Sequence, residues 1–85
     1  MDELVGSEVV IDVDSPFVYM GLLESITQTC LLLKRADVHD LRDSTTTRDV
    51  YIREARMHGI QPNRRAVTVR QDRIISVSRL SDVIP

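Results

Sequence analysis

The sequence of 85 residues has few aromatic side chains, no tryptophan and few glycines. Its only aromatic residues are Phe17, Tyr19 and Tyr51, so we expect a hydrophobic core built mainly from valine, isoleucine and leucine. The three glycines are widely spaced along the chain. This spacing excludes a glycine-rich loop of the kind that cradles phosphate groups in nucleotide-dependent enzymes.

Cysteine is nearly absent as well. The single Cys30 cannot form an internal disulfide, which favours a reducing, cytoplasmic setting. All apolar runs are much shorter than the roughly 20 residues that a membrane-spanning helix needs. The acidic start, Met1-Asp2-Glu3, is unlike the basic beginning of a signal peptide. We therefore expect a cytoplasmic protein without a membrane partner.

The net charge of −2 conceals an uneven distribution of charged residues. Residues 1–47 contain nine acidic and three basic residues, whereas residues 48–85 contain four acidic and eight basic residues, all of them arginine. Arginine suits bidentate contacts with carboxylates and with phosphates. Two interpretations stay open, namely ion pairs with the acidic half, within a subunit or between subunits, and binding of an anionic partner such as RNA. The weak overall charge favours ion pairs.

The first part of the chain predicts three strands. Glu8–Val13 alternates between apolar and polar residues, which is typical of a strand with one buried face. A turn at residues 14–16 leads to a second strand from Phe17 to about Ile26. Gly21 lies inside this strand and indicates a bulge or sharp bend, such as a small barrel requires. A third strand is predicted from Cys30 to Val38.

The second part of the chain predicts two further strands. They are Arg65–Arg70 and Arg73–Ser78, joined by a very tight link at Gln71-Asp72. Successive strands of this kind form antiparallel meanders, and five strands in so short a chain are enough for a partly closed barrel. We therefore predict a mainly β protein with one barrel domain at residues 1–85, an N-terminal turn or short helix and an enlarged segment at 39–64.

The enlarged segment has a different pattern. Residues 47–58 read as a helix, with Gly59 as its C-terminal stop. Val50, Tyr51 and Ala55 would form its apolar face. The alternative is a strand that extends through residues 50–52.

Two motifs in this chain are similar to those of the Sm/LSm family of small SH3-like barrels. The first consists of Gly6-Ser7-Glu8-Val9-Val10-Ile11 and Tyr19-Met20-Gly21-Leu22-Leu23, and the second is Val69-Arg70-Gln71-Asp72-Arg73-Ile74-Ile75-Ser76-Val77. The resemblance covers about residues 4–38 and 65–83. It implies a five-stranded, strongly bent antiparallel barrel without catalytic activity. It also implies a homo-oligomer in which the fourth strand of one subunit pairs with the fifth strand of the next, and RNA as a partner.

The resemblance also implies where RNA would bind, although the chain departs from the family pattern there. The family's pocket uses an Asp and an Asn in the loop before the third strand, together with the Arg-Gly of the second motif. Residues 25–30 contain neither the Asp nor the Asn, and Gln71 replaces the glycine. A base pocket needs edge-reading amides, which only Gln28 and Gln71 can supply. The candidate RNA-binding residues are Arg70, Asp72, Gln71, Arg64, Arg65 and Gln28.

Other chemistry finds little support in the sequence. His39 lies among several aspartates, but the only other histidine, His58, is far along the chain and there is no second cysteine. Cys30 precedes three leucines, a setting that does not activate a thiol. We therefore expect no catalytic residue, metal, cofactor or small-molecule substrate.

An adaptor function is the alternative to RNA binding. In that case the 39–64 segment would present Tyr51, Ile52 and Met57 to a protein partner.

Overall fold

The computed structural model describes residues 1–85, which form five antiparallel strands and one α-helix. The strands are β1 (Glu8–Val13), β2 (Phe17–Ile26), β3 (Cys30–Asp40), β4 (Arg64–Arg70) and β5 (Ile74–Arg79), and the helix is α1 (Arg48–His58). Short 3₁₀ turns lie at Asp2–Leu4, Leu41–Asp43, Gln71–Arg73 and Leu80–Asp82. The predicted mainly β fold, with a helix between the third and fourth strands, is confirmed. The helix is neither long nor apolar enough to cross a membrane.

The five strands form one bent sheet in the order β4-β3-β2-β1-β5. All neighbouring strands are antiparallel. The two strands that are adjacent in sequence across the Gln71–Arg73 turn, β4 and β5, are therefore the two edges of the sheet. Each has one side without a strand partner inside the chain, and this matters for assembly.

Gly21 of β2 lies at one of two irregularities in the pairing of β2 with β3. The β2–β3 register shifts between Met20 and Leu22. A Cβ atom at Gly21 would lie 3.1 Å from each of three atoms, namely Ala36 Cα, Ala36 Cβ and the Lys34 carbonyl oxygen. Glycine therefore suits the close approach of the neighbouring backbone, and a side chain here would have to displace it slightly.

The sheet has a hydrophobic cluster on each side. The concave side holds the barrel core, whose fully buried members include Val9, Ile11, Leu23, Leu31 and Leu33. The convex side holds a second cluster formed by Val10, Val18, Met20, Ile52, Ala55 and Leu80. The expectation that the first strand buries only one face is wrong, because Val10 on its outer face is covered by this second cluster.

Helix α1 covers the convex side of the sheet. Thr47 caps its N-terminus, where the side-chain oxygen accepts a hydrogen bond from the Val50 backbone nitrogen at 3.3 Å. Ile52 and Ala55 are the buried residues of the helix. The predicted apolar face is correct at Ala55 and wrong at Val50, which is exposed. The helix packs on the sheet through the face that contains Ile52, because that face contacts the apolar residues on the outer side of the sheet.

A buried polar cluster fastens α1 to β3. Asp37 is only 3% exposed and accepts hydrogen bonds from the Tyr51 hydroxyl and, at 3.3 Å, from Asn63 Nδ2. Asn63 also exchanges two hydrogen bonds with the Val38 backbone, each 3.0 Å long. The His39 ring stacks on the Tyr51 ring with their centroids 3.9 Å apart. The contacts of Tyr51, together with an ion pair between Arg48 and Asp12, hold the N-terminal part of the helix, and Asn63 holds the segment that follows it.

Candidate functional site

Two loops that are distant in sequence meet at one end of the barrel. They are the β2–β3 loop, Thr27–Thr29, and the segment Arg70–Arg73 between β4 and β5; we call them the paired loops. They meet because Cys30 at the start of β3 pairs with Arg70 at the end of β4. Gln71 joins them directly, since its backbone nitrogen donates to the Thr29 carbonyl at 2.8 Å and its Nε2 donates to the Thr27 carbonyl at 2.6 Å.

The paired loops present two arginines that are bound only weakly within the chain. Arg70 forms an ion pair with Asp72 at 2.8 Å, and Arg73 forms one with Asp14 at 3.1 Å. The side chains of Arg70 and Arg73 are 73% and 67% exposed. Exposed pairs of this kind contribute about 0–1 kcal/mol each. A phosphate group can therefore replace either carboxylate at little cost.

The two glutamines predicted to read bases have different surroundings. Gln28 is exposed at the tip of the β2–β3 loop. Gln71 is half-buried, and its side-chain nitrogen already donates to a backbone oxygen of the neighbouring loop. Gln71 therefore positions the loops, whereas Gln28 has its amide open to a ligand.

The structure does not bring Arg64 and Arg65 to the paired loops. They lie at the opposite end of β4 from Arg70, about 17–20 Å away at a rise of about 3.3 Å per residue. Arg64 donates instead to the backbone oxygen of Asn63 at 3.2 Å. The six candidate residues thus divide into four at the paired loops and two at the far end of β4.

The ion pairs between the acidic and basic halves of the chain are few. Arg48 binds Asp12, and Arg73 binds Asp14. Two other acidic residues of the first half pair with basic residues of that same half, namely Glu24 with Lys34 and Asp40 with Arg42. The hydrogen bond from Arg42 lowers the pKa of Asp40 to about 2.

The buried polar cluster between α1 and β3 contains Tyr51, whose pKa is also shifted. Burial, and then the hydrogen bond to Asp37, raise the pKa of Tyr51 well above its usual range. Asp40 and Tyr51 lie in the 39–64 segment, and neither belongs to the paired loops. The shift of Tyr51 reflects its buried contact with Asp37 of β3.

An open groove that the sequence did not indicate lies beside the paired loops. The groove has a volume of about 480 Å³, and its lining includes Phe17, Tyr19, Thr68, Arg70 and Arg73. The two aromatic rings are tilted by 33° with their centroids 6.5 Å apart. β2 and β4 are not neighbours in the sheet, so only its curvature brings these residues together. No spacing along the chain could have shown it.

Comparison with solved structures identifies the fold. The chain superposes on an Sm protein of Pyrococcus abyssii, solved in complex with a uridine heptamer, with a TM-score of 0.61 and 12% identity over 92% of this chain and 89% of that one. It superposes on a heptameric archaeal Sm protein with a TM-score of 0.59 and 19% identity over 99% and 94% of the two chains. A scan of protein-family models and a search of curated proteins by sequence found no match.

These comparisons confirm the predicted resemblance at the level of the fold. The chain has an Sm-like fold over nearly its whole length.

Proposed function

We propose that this protein is a non-catalytic Sm-like protein that assembles head to tail into a ring and binds single-stranded RNA at the paired loops. The observation that carries the proposal is the position of β4 and β5. They are the two open edges of one sheet, and the segment that joins them is half of the paired loops. Assembly through these edges therefore places one copy of the candidate site beside each subunit contact.

The open edges favour self-association. Unpaired strand edges expose backbone hydrogen-bonding groups and form a template for another chain. Ile75 in the edge strand β5 is 71% exposed, although the adjacent Ile74 is half-buried. Pairing β4 of one copy with β5 of the next is a heterologous contact, which closes into a ring when the rotation allows it. The heptameric archaeal Sm protein of the same fold supports a ring here.

The paired loops favour RNA as the ligand. Arg70 supplies a planar guanidinium suited to phosphate, and Gln28 supplies a free amide for a base edge. A ring would repeat this weak site once per subunit, so that several nucleotides of one strand bind together. The uridine heptamer bound by the Pyrococcus abyssii protein supports this choice of ligand.

The adaptor function loses its main support in the structure. Ile52 is buried against the sheet, and the hydroxyl of Tyr51 is bound to Asp37. Of the three residues proposed to face a partner, only Met57 is strongly exposed, at 60%. The 39–64 segment serves chiefly as an outer layer of the barrel.

Assembly is tested by measuring mass in solution. We expect sedimentation velocity and native mass spectrometry to show a closed oligomer; seven copies of the 9.7 kDa chain would weigh about 68 kDa. Ile75→Glu should dissociate it, because the charge would be buried in the subunit contact. Ile84→Glu is the matched control, since Ile84 is 84% exposed and lies outside β5. A monomeric wild-type protein at micromolar concentration would refute the assembly.

RNA binding is tested with labelled oligouridylate and oligoadenylate by fluorescence anisotropy at several salt concentrations. We expect affinity to fall steeply with salt, because phosphate contacts release counterions. Arg70→Gln should weaken binding and lower the salt slope, whereas Arg65→Gln, with the same charge change at the far end of β4, should have little effect. Undetectable binding of both oligomers at low salt would reject the RNA-binding function.

A further inference from the structure

We propose that Ile75 of one copy inserts into the open groove of the next copy and thereby sets the direction and register of the subunit contact. The groove is then a socket for a second copy of this chain, and Phe17 and Tyr19 contribute its aromatic wall. The inference rests on the proposed function and deepens it, because it names the side chain that each subunit contributes to its neighbour.

The open groove lies at an edge of the sheet that the chain leaves free. Its lining includes Thr68 and Val69 of β4 together with Phe17 and Tyr19 of β2. β4 is an outer strand, so it has no strand partner on this side within the chain. In a ring built through β4 and β5, the strand that covers the groove is therefore β5 of the next copy.

Ile75 is an apolar side chain that the chain does not cover. Ser76 pairs with Asp12 and Ile74 pairs with Val13, so β5 contains one extra residue, Ile75, at the register shift between them. A β-bulge of this kind leaves its extra residue unpaired and redirects its side chain. Ile75 is accordingly 71% exposed, whereas Ile74 packs against the barrel core.

Antiparallel pairing brings Ile75 to the groove. Every pair of neighbouring strands in the sheet is antiparallel. If the subunit contact continues this pattern, the start of β5 lies beside the end of β4 of the next copy. Ile75 is the second residue of β5, and Thr68 and Val69 lie near the end of β4. A parallel contact would instead place Ile75 near Arg65, at the start of β4.

Insertion of Ile75 completes a core that stays open in the single copy. Phe17 and Tyr19 pack against the barrel core and are only half-buried. A domain of this size buries a limited share of its apolar surface by itself. An isoleucine placed over these rings loses its contact with water and covers part of theirs, so the cores of adjacent copies become continuous.

The charged groups at the groove are compatible with an apolar occupant. Arg70 is paired with Asp72 and Arg73 with Asp14, so each arginine enters the contact with its own counter-charge. Insertion of a side chain therefore leaves no unpaired charge beside it. Arg70 belongs both to the groove and to the paired loops, and the subunit contact and the RNA site adjoin at this residue.

Disulfide trapping between two single variants gives a direct test. In a Cys30→Ser background, which removes the only native cysteine, Ile75→Cys and Thr68→Cys proteins are refolded together and oxidised with copper phenanthroline. We expect a covalent dimer in the mixture and little in either variant alone, because a disulfide needs Cα atoms about 4.4–6.8 Å apart. Both residues are exposed, so the variants should fold. Arg65→Cys mixed with Ile75→Cys is the matched control and should not cross-link.

Dilution of the assembled protein gives a second, independent measurement. Ile75→Ala should raise the concentration at which subunits dissociate by about 10- to 100-fold, since it removes most of one buried isoleucine from each contact. Ile84→Ala is the control, because Ile84 lies outside β5 and is 84% exposed. Sedimentation velocity over a dilution series measures both variants.

The outcomes separate the socket from the proposed function. A stable wild-type ring that Ile75→Ala does not weaken, or that gives no disulfide between Ile75→Cys and Thr68→Cys, would overturn the inference and leave the ring intact. Cross-linking of Ile75→Cys to Arg65→Cys would overturn it as well, because the contact would then run in the opposite direction. A monomeric wild-type protein at micromolar concentration would end both proposals.

Discussion

The hydrogen bond from Tyr51 to Asp37 should be a main anchor of α1, and Tyr51→Phe tests this. The carboxylate of Asp37 is 3% exposed and has one other side-chain donor, Asn63 Nδ2 at 3.3 Å. Loss of the hydroxyl leaves this buried charge with a single long hydrogen bond. A hydrogen bond to a charged group contributes about 1.5–3 kcal/mol, so we expect Tyr51→Phe to lower the free energy of unfolding by that amount.

A double-mutant cycle with Asp37→Asn isolates the charge. Asparagine keeps the size of the side chain, and a hydrogen bond between neutral groups contributes about 0.5–1.5 kcal/mol. Tyr51→Phe should therefore cost less when residue 37 is asparagine, which gives a coupling energy of about 1 kcal/mol. Tyr19→Phe is the matched control, because that hydroxyl lies at the open groove. It should change the free energy of unfolding by less than about 0.5 kcal/mol.

The measurement is urea unfolding followed by far-UV circular dichroism. All variants must be compared at one subunit concentration, since assembly makes the apparent stability depend on concentration. An equal cost of Tyr51→Phe in both backgrounds, or a cost no larger than that of Tyr19→Phe, would show that α1 does not depend on this hydrogen bond.

Three further predictions concern pH, the bend and the helix cap. Because the pKa of Tyr51 is raised in the folded protein, Tyr51 keeps its proton above pH 10, where the unfolded chain releases it. The free energy of unfolding should therefore fall as the pH rises above 10. Urea titrations at several pH values should show a smaller fall for Tyr51→Phe. Gly21→Ala should lower the free energy of unfolding by about 1–3 kcal/mol. Adding Ala36→Gly should restore only part of this loss, because two of the three close atoms belong to the backbone. Full restoration would contradict the geometry. Thr47→Ala should cost about 1 kcal/mol through loss of the cap, and no change in the urea midpoint would count against that role.

The strands could be predicted from local pattern because each signal lies within a few residues. Alternation identified β1, and the glycine inside β2 indicated the bend. The second motif identified the edge strands β4 and β5. The helix was harder to predict, since Val50-Tyr51-Ile52 suits a strand equally well. Its buried face was predicted only in part, because the side that turns inward depends on Val10 and Met20 of the sheet beneath it.

The candidate site was likewise predicted only in part. Arg70, Gln71 and Asp72 were predicted from the second motif, which is contiguous in sequence. The inclusion of Arg64 and Arg65 followed from their basic character, and the extended strand β4 separates them from the loops. The joining role of Gln71 and the open groove beside the paired loops could not be predicted, because both depend on residues more than 40 positions apart along the chain.

The sequence by itself determined which segments become strands, where the sheet must bend and which residues carry positive charge, because side-chain period, a missing Cβ and ionisation are local properties. Only the tertiary structure decided that the two loops join, that α1 lies on the convex side and that Phe17 and Tyr19 face Arg70 and Arg73. Closure of a curved sheet brings distant residues together, and the free energy of that closure is shared among buried contacts from the whole chain.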